Sequence, residues 1–369
     1  MERLVLVNLV AMNKPILFLT TLVVLCPVTG FTQNKRYNDN FQQEYFFGNV
    51  PSARTEAMAK TDVAIGGAVS SSFFNPAGTG LIKKSAAQLS YSKPYYALTR
   101  SRYYYAGYAM KWKKFTFGLT YHRYEARAAG WTIDVGYKEY RVNNPITVNS
   151  TVNVVYEPIE NLYVGLNYNT YFWTIFDDVG TDIASHADVG LLYIHKLADN
   201  EHRSRLQFGA SVNNFTTATI TYHSPDDTYS TSPFPVVARG GLAWMSRREM
   251  KIPGSLLQVD VTASAQYQTL FNNSYREGIN IGTEAEINDV FAFRLGYWTY
   301  NLNDNGFTTN KSRVRDITYG FGVLIPCKER EFRIDYAAMK APAHSTRGTR
   351  LPNFHTFTFQ YFLTKQDEA

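Results

Sequence analysis

The chain has 369 residues, 15 % of them aromatic and only 18 % charged, with a formal net charge of +6. A mean hydropathy of −0.27 excludes a bundle of transmembrane helices, and the 37 Lys and Arg residues are scattered rather than gathered into a nucleic-acid-binding patch. Abundant aromatics at modest hydropathy fit a membrane barrel, in which lipid-facing and lumen-facing residues alternate and average out.

The first element is an apolar run over 16–28, preceded by Lys14 and followed by small residues up to Thr32. That layout predicts an export signal over 1–32, since the run is short for a membrane helix. Met12 offers an alternative start. Removal of the signal takes Cys26 with it and leaves Cys327 alone, so no intrachain disulfide is expected despite export.

Residues 33–84 do not alternate. They include "SSFFNPAGTGLI" at 71–82, where Pro76 fixes its own φ while Gly78 and Gly80 permit tight turning. Asn75, Pro76, Ala77 and Gly78 are therefore expected to form a shaped turn. A wide barrel needs its lumen filled, and this segment is expected to fold inside as a hatch whose path the turn sets.

From Ser85 to residue 364 the chain falls into segments of period two. In 257–267, Leu257, Val259, Val261, Ala263, Ala265 and Tyr267 share one face; 279–287, 206–213 and 354–363 repeat the pattern. Connections alternate in length. Short ones are predicted at 112–114, 158–161, 198–203, 247–254, 288–289 and 326–329, and long ones at 125–145, 177–185, 217–234, 271–275, 303–311 and 341–353. Short turns on one side and long loops on the other predict an all-β fold: an antiparallel transmembrane barrel of about fourteen strands, with 365–369 as a tail on the short-turn, periplasmic side. Residues 131–141 read as a hairpin arm within a long outer connection, which keeps the strand number even.

The inward positions of this pattern carry Asp188, Asp260, Glu284, Glu286, Arg294, Asp316, Arg333 and Asp335. Charges inside a barrel must be paired or hydrated, so these residues are expected to form a polar network tying hatch to wall; the other reading is a polar path for a solute. The seven histidines lack helical zinc spacing, and neither a GxSxG elbow nor a phosphate-binding glycine loop occurs. His186 and Asp188, two apart on one strand, read as a luminal hydrogen bond. No enzyme activity, cofactor or metal is expected. Tyr222, Tyr229, Phe234 and Phe307 fall on long connections, where aromatics serve as anchors for a partner.

"ARTEAMAKTDVAIGGAVSSSFFNPAG" at 53–78 resembles the N-terminal region of FadL-like outer-membrane proteins, in which an Asn-Pro-Ala turn belongs to a hatch inside a fourteen-stranded barrel. "ADVGLLY", "LQFGASVNNF", "INIGTEAEINDVFAFRLGYW", "FRIDYAA" and "HTFTFQYFL" resemble, in the same order, segments of the PorV/PorQ group, barrels associated with type IX secretion in Bacteroidetes. The resemblance covers about 48–363. It implies an outer-membrane protein surrounded by lipid that binds a large secretion translocon subunit, exported cargo, or both. The alternative it allows is a FadL-like channel for a hydrophobic small molecule with a lateral opening. The many inward Gly, Asn, Gln, Ser and charged positions favour the first. Two departures stand out: "MAKTD" occupies the place of paired glycines after Met, and Thr79 replaces an apolar residue.

Overall fold

The computed structural model describes residues 50–93, 95–96, 99–100, 102–125, 131–135, 138–142, 146–174, 182–197, 204–223, 229–233, 236–252, 255–271, 276–302, 312–339 and 354–363. The expected signal over 1–32, the start of the hatch at 33–49 and the tail lie outside them.

In chain order the strands begin with β1 (Ser85–Ser92), the hairpin β2 (Tyr95–Tyr96) and β3 (Thr99–Arg100), β4 (Arg102–Trp112) and β5 (Phe115–Glu125). The hairpin β6 (Trp131–Val135) and β7 (Lys138–Val142) precedes β8 (Ile146–Ile159), β9 (Leu162–Thr174), β10 (Asp182–Lys196) and β11 (Arg205–Asn213). A third hairpin, β12 (Thr219–His223) and β13 (Tyr229–Pro233), leads to β14 (Val236–Ile252), β15 (Ser255–Phe271), β16 (Arg276–Ile287) and β17 (Phe291–Leu302). The chain ends in β18 (Ser312–Cys327), β19 (Arg330–Met339) and β20 (Phe354–Leu363).

Fourteen of these strands close into one barrel, each pairing antiparallel with its chain neighbour once the three hairpins are set aside. Closure is made by β1 on β20, from Ser85 opposite Leu363 to Ser92 opposite Thr356. The hairpins pair only within themselves, so β6 and β7 stay outside the wall.

The burial pattern is inverted relative to a water-soluble sheet. On β17, Phe291, Phe293, Leu295 and Tyr297 face outward and are exposed, while Ala292, Arg294 and Trp298 face inward and are buried. Leu119 at 60 % and Ile183 at 64 % exposure belong to the same outer belt, and the inner face carries Gln88, Asn153, Gln207 and Asn280, each at 1 % or less. Polar inside and apolar outside is the arrangement of a wall that meets lipid, which makes this an outer-membrane type of barrel.

One connection differs from the sequence reading. The short turn predicted at 247–254 is strand as far as Ile252, and Arg247 stands in register with Asp260. Charged residues in Arg247–Lys251 resemble a turn in sequence, but β14 and β15 are 17 residues each and their polar ends leave the apolar belt.

Residues 50–84 fill the lumen. Helix α1 (Ala53–Ala57) is capped by Ser52, and two 3₁₀ turns follow at Val69–Phe73 and Pro76–Leu81. The apolar core lies between this hatch and the wall. Met58, Val63, Ala64 and Ile65 pack on Ala243, Val69 on Ala86 and Ala109, and Ala77 among Val155, Tyr163 and Leu192. Burying each larger aliphatic side chain stabilises the docked hatch by roughly 1.5–3 kcal/mol.

Candidate functional site: the hatch and the chamber above it

The hatch turn is held from three directions by one amide. Asn75 caps the turn by accepting from the Ala77 N–H at 3.0 Å, and its Nδ2 donates to the Val63 carbonyl at 2.7 Å and to the Leu191 carbonyl of β10 at 2.8 Å. Pro76 supplies the fixed φ of the first turn position, and its carbonyl accepts from Asn153 Nδ2 at 2.9 Å. Ala77 is fully buried, and Gly78 closes the turn by donating to the Asn75 carbonyl at 2.8 Å.

The wall approaches so closely because it lacks side chains where the hatch touches it. A Cβ on Gly190 would lie 2.0 Å from Asn75 Oδ1, one on Gly165 2.2 Å from the Pro76 carbonyl carbon, and one on Gly209 1.9 Å from the Val63 oxygen. Gly190 registers directly with Gly165, Gly209 with Gly241, and Gly282 with Gly296, so paired glycines form seats around the lumen. Inward polar residues beside the seats complete the hatch's backbone hydrogen bonds. Thr358 accepts from Ala53 N, Gln266 accepts from Val63 N, Asn167 donates to the Ser72 carbonyl and Ser211 donates to the Phe74 carbonyl, at 2.6–3.1 Å. A buried loop carries donors and acceptors that must be paired, and the wall is built to pair them.

At its turn side the hatch is latched by charge. Arg54 of α1 reaches Glu284 at 2.6 Å, and Glu284 also accepts from Arg294 at 2.5 Å and Arg333 at 3.4 Å. Arg294 meets Asp335 at 2.8 Å, and Arg333 meets Asp335 and Glu286, both at 3.3 Å. The other charged positions have partners of their own. Asp260 pairs with Arg247 at 2.5 Å near the turns, Asp316 is partly buried and accepts from the Ile317 N–H, and Asp188 pairs with His186 at 3.0 Å on the far side of the hatch. Asn167 and Asn169 also donate to Asp188, and the Asn214 N–H donates to it at 2.8 Å.

The hatch divides the lumen unequally. Below it, on the short-turn side, lies a vestibule of about 890 Å³ lined by Arg54, Arg205, Arg247, Asp260, Glu284 and Glu286 together with Ile65 and Leu81. Above it is a cramped chamber whose floor is Phe73 and whose walls are Tyr103, His122, Tyr124, Thr147, Asn149 and Tyr171, with a void of about 20 Å³. Space of that size holds about one water. Phe73 lies 5.7 Å from the His122 ring, Tyr105 meets His122 edge-on at 4.8 Å, and Tyr171 stacks on His186 at 5.2 Å. Tyr103 and His122 share a hydrogen bond of 2.7 Å.

Sequence reasoning omits this aromatic chamber. Tyr103, Tyr105 and Tyr124 stand in sequence among other tyrosines of β4 and β5, and only the inward parity of these strands separates them from the outward Tyr108 and Tyr121. Of the aromatics expected on long connections, Tyr222 and Tyr229 fall on the β12–β13 hairpin, where Tyr222 registers with Ser230 and Tyr229 with His223. Phe234 and Phe307 lie outside the described residues.

No protein-family model matches the chain, and no curated protein matches it. Among solved structures it is similar to a Pseudomonas aeruginosa FadL homologue, at 9 % identity over 85 % of this chain and 98 % of that one, with a TM-score of 0.48. It is also similar to the TodX deltaS2S3 mutant monoaromatic hydrocarbon channel (11 % identity, 84 % and 97 % covered, TM-score 0.47). A third similarity is to the Ralstonia pickettii toluene transporter TbuX (12 % identity, 86 % and 100 % covered, TM-score 0.45). At these values the likeness is to barrel architecture alone, so function has to be argued from the lumen.

Proposed function

We propose that the protein is a hatch-plugged outer-membrane channel for small, partly apolar molecules, which enter the aromatic chamber above the hatch only when Phe73 shifts, since the closed chamber has room for about one water. The observation that carries this reading is the position of Phe73, a hatch residue that forms the chamber's floor beneath Tyr103, His122, Tyr124 and Tyr171. Aromatic walls with a few polar tips suit a ligand that is apolar in body and hydrogen-bonds at one end. The polar inward residues that favour a different role in sequence do not weigh against it, because Asn153, Asn167, Ser211 and Gln266 are committed to the hatch backbone. Among the described residues the wall beside the chamber is closed, since β4, β5 and β8 keep continuous register from Arg102 opposite Glu125 to Phe115 opposite Tyr156. Passage therefore runs through the lumen and requires the hatch to shift.

The test is uptake of benzyl alcohol by proteoliposomes. The barrel should accelerate uptake over protein-free vesicles, and Phe73→Ala should remove most of that acceleration while heat-modifiable gel migration stays intact. Equal uptake by both proteins would defeat the reading.

A second reading is a partner- or cargo-binding component of type IX secretion, supported by the sequence resemblance and by the three hairpins that pair outside the wall. Affinity purification from native membranes in mild detergent separates the two. A translocon subunit or exported cargo, lost when 217–234 is trimmed, would favour partner binding; the barrel recovered with a small apolar ligand alone would favour uptake.

A further inference from the structure

The outer wall has an indentation at two alanines. Ala87 of β1 registers with Tyr108, and Ala106 of β4 registers with Leu89, so the two methyl groups are diagonal neighbours on the lipid-facing surface. Between the larger Leu89, Tyr108, Tyr121 and Phe359 the surface sinks into an open apolar groove of about 440 Å³.

The turn end of the same strands is basic. Lys113 and Lys114 join β4 to β5, and Lys83 lies just before β1. Lys113 Nζ sits 5.3 Å over the Trp112 ring and Lys114 Nζ donates to the Pro158 carbonyl at 3.4 Å. The nearby carboxylates are already engaged, Glu157 with Lys111 at 3.2 Å and Glu160 with Lys196 at 2.9 Å. Among the described residues no carboxylate pairs with Lys83, Lys113 or Lys114.

The spacing of the two features matches a lipid. From Ala106 to Trp112 the strand climbs about 20 Å at roughly 3.3 Å per residue, and a tilt of about 40° reduces this to about 15 Å of depth. That is close to half of an apolar band about 25 Å tall, so the groove lies one leaflet's depth from the lysines.

We infer that the β1–β4–β5 face binds one anionic phospholipid of the turn-side leaflet. Its phosphate lies over Lys113 and Lys114, and an acyl chain fills the groove at Ala87 and Ala106. The lysines attract the headgroup through charge, and the groove gives the chain a wall to pack on that flat neighbouring surfaces lack.

The test uses the full chain in vesicles of equal phosphatidylglycerol and phosphatidylcholine, extracted in mild detergent, with retained lipid counted by native mass spectrometry. Wild type should retain phosphatidylglycerol over phosphatidylcholine by on the order of tenfold, as two surface lysines imply. Lys113→Gln with Lys114→Gln should erase that preference. Ala87→Leu with Ala106→Leu should lower retention of both lipids several-fold, with heat-modifiable migration reporting a folded barrel; Ala106→Val alone, a milder filling, should give a smaller drop in the same direction. Equal retention of the two lipids by wild type, or unchanged phosphatidylglycerol in the lysine and alanine variants, overturns the inference. A lipid-free dimer lost on filling the groove would assign that face to a second copy of the chain and overturn it as well.

Discussion

Arg54 of the hatch grips both carboxylate oxygens of Glu284 on the wall, with Nη2 donating to Oε1 at 2.6 Å and Nε to Oε2 at 3.0 Å. Arg294 and Arg333 converge on the same carboxylate, so one wall residue serves three guanidiniums. The partners are unequal. Arg54→Met leaves Glu284 with two cations, whereas Glu284→Gln leaves Arg54 without its carboxylate and strips one from the other two. Removing one member of a buried ion cluster costs about 3–5 kcal/mol when charge is left uncompensated. Glu284→Gln is therefore expected to destabilise hatch docking more than Arg54→Met. Single-channel recording in planar bilayers should show more frequent openings in the order Glu284→Gln, Arg54→Met, wild type; the reverse order of the two variants would contradict the latch.

The glycine seats make a prediction with an internal control. Gly190→Ala places a methyl carbon 2.0 Å from Asn75 Oδ1, and Gly165→Ala places one 2.2 Å from the Pro76 carbonyl carbon; both meet backbone or a committed amide, which cannot yield cheaply. Gly240, also on the wall, has no atom within 4 Å of the position its Cβ would take. Hatch amide hydrogen exchange should accelerate by about fivefold or more in Gly190→Ala and Gly165→Ala, since steric insertion costs typically 1–3 kcal/mol. Gly240→Ala should leave it unchanged. If all three behave alike, the seats are not what fixes the hatch.

Much of the wall is legible in sequence because period two is a local signal. Alternation in 257–267 and 279–287 places Glu284 and Asp260 inward without knowledge of their partners. The hatch interface is not legible in that way. A glycine within a strand announces a close approach but does not say what approaches, and Gly190 and its partner Gly165 meet only through a register that spans two strands. Arg54 and Glu284 are 230 residues apart, so no spacing rule links them. The inward amides read as a hydrophilic lumen, yet Asn153 and Asn167 bind backbone carbonyls of the hatch; composition fixes polarity and leaves its use open.

Hatch docking should also depend on pH through Asp62. Burial pushes this carboxyl up to about 6, opposed by Arg54, the Ser71 side chain and the Gly66 N–H, while Glu284 adds to the rise. An undocked, hydrated Asp titrates near 4. The docked state therefore binds the proton more tightly. Its extra stability is fully present below about pH 4, is lost as pH rises through about 6, and amounts to on the order of 2–3 kcal/mol. Glu56, also raised by burial, contributes with the same sign. Channel openings should become more frequent between pH 4 and pH 7, and Asp62→Asn should make that rise shallower, leaving the part carried by Glu56, with fewer openings than wild type at neutral pH. A wild-type profile without this rise would refute the assignment.

The last prediction concerns the two residues that follow α1. Ala59 at φ 54° and Lys60 at φ 66° both occupy the left-handed region, where the sequence places "AK" rather than glycine. An L-residue pays roughly 1–2 kcal/mol for that conformation, whereas glycine adopts it freely at a smaller entropic cost. The positions differ in what their side chains touch. Ala59 is fully buried against Trp298 and Met339, so Ala59→Gly gives up a packed methyl worth about 0.8 kcal/mol and should be near neutral. Lys60 is partly exposed, and its backbone N–H bond to the Thr55 carbonyl at 2.8 Å survives the change. Lys60→Gly should stabilise the docked hatch by up to about 1 kcal/mol, read as roughly fivefold slower hydrogen exchange over 50–84. Lys60 also draws the Glu56 carboxyl toward its charged form. The gain should therefore be largest at acidic pH, where Glu56 is neutral and loses nothing when the ammonium is removed. Faster exchange in Lys60→Gly at acidic pH would show that the left-handed pair is not a source of strain.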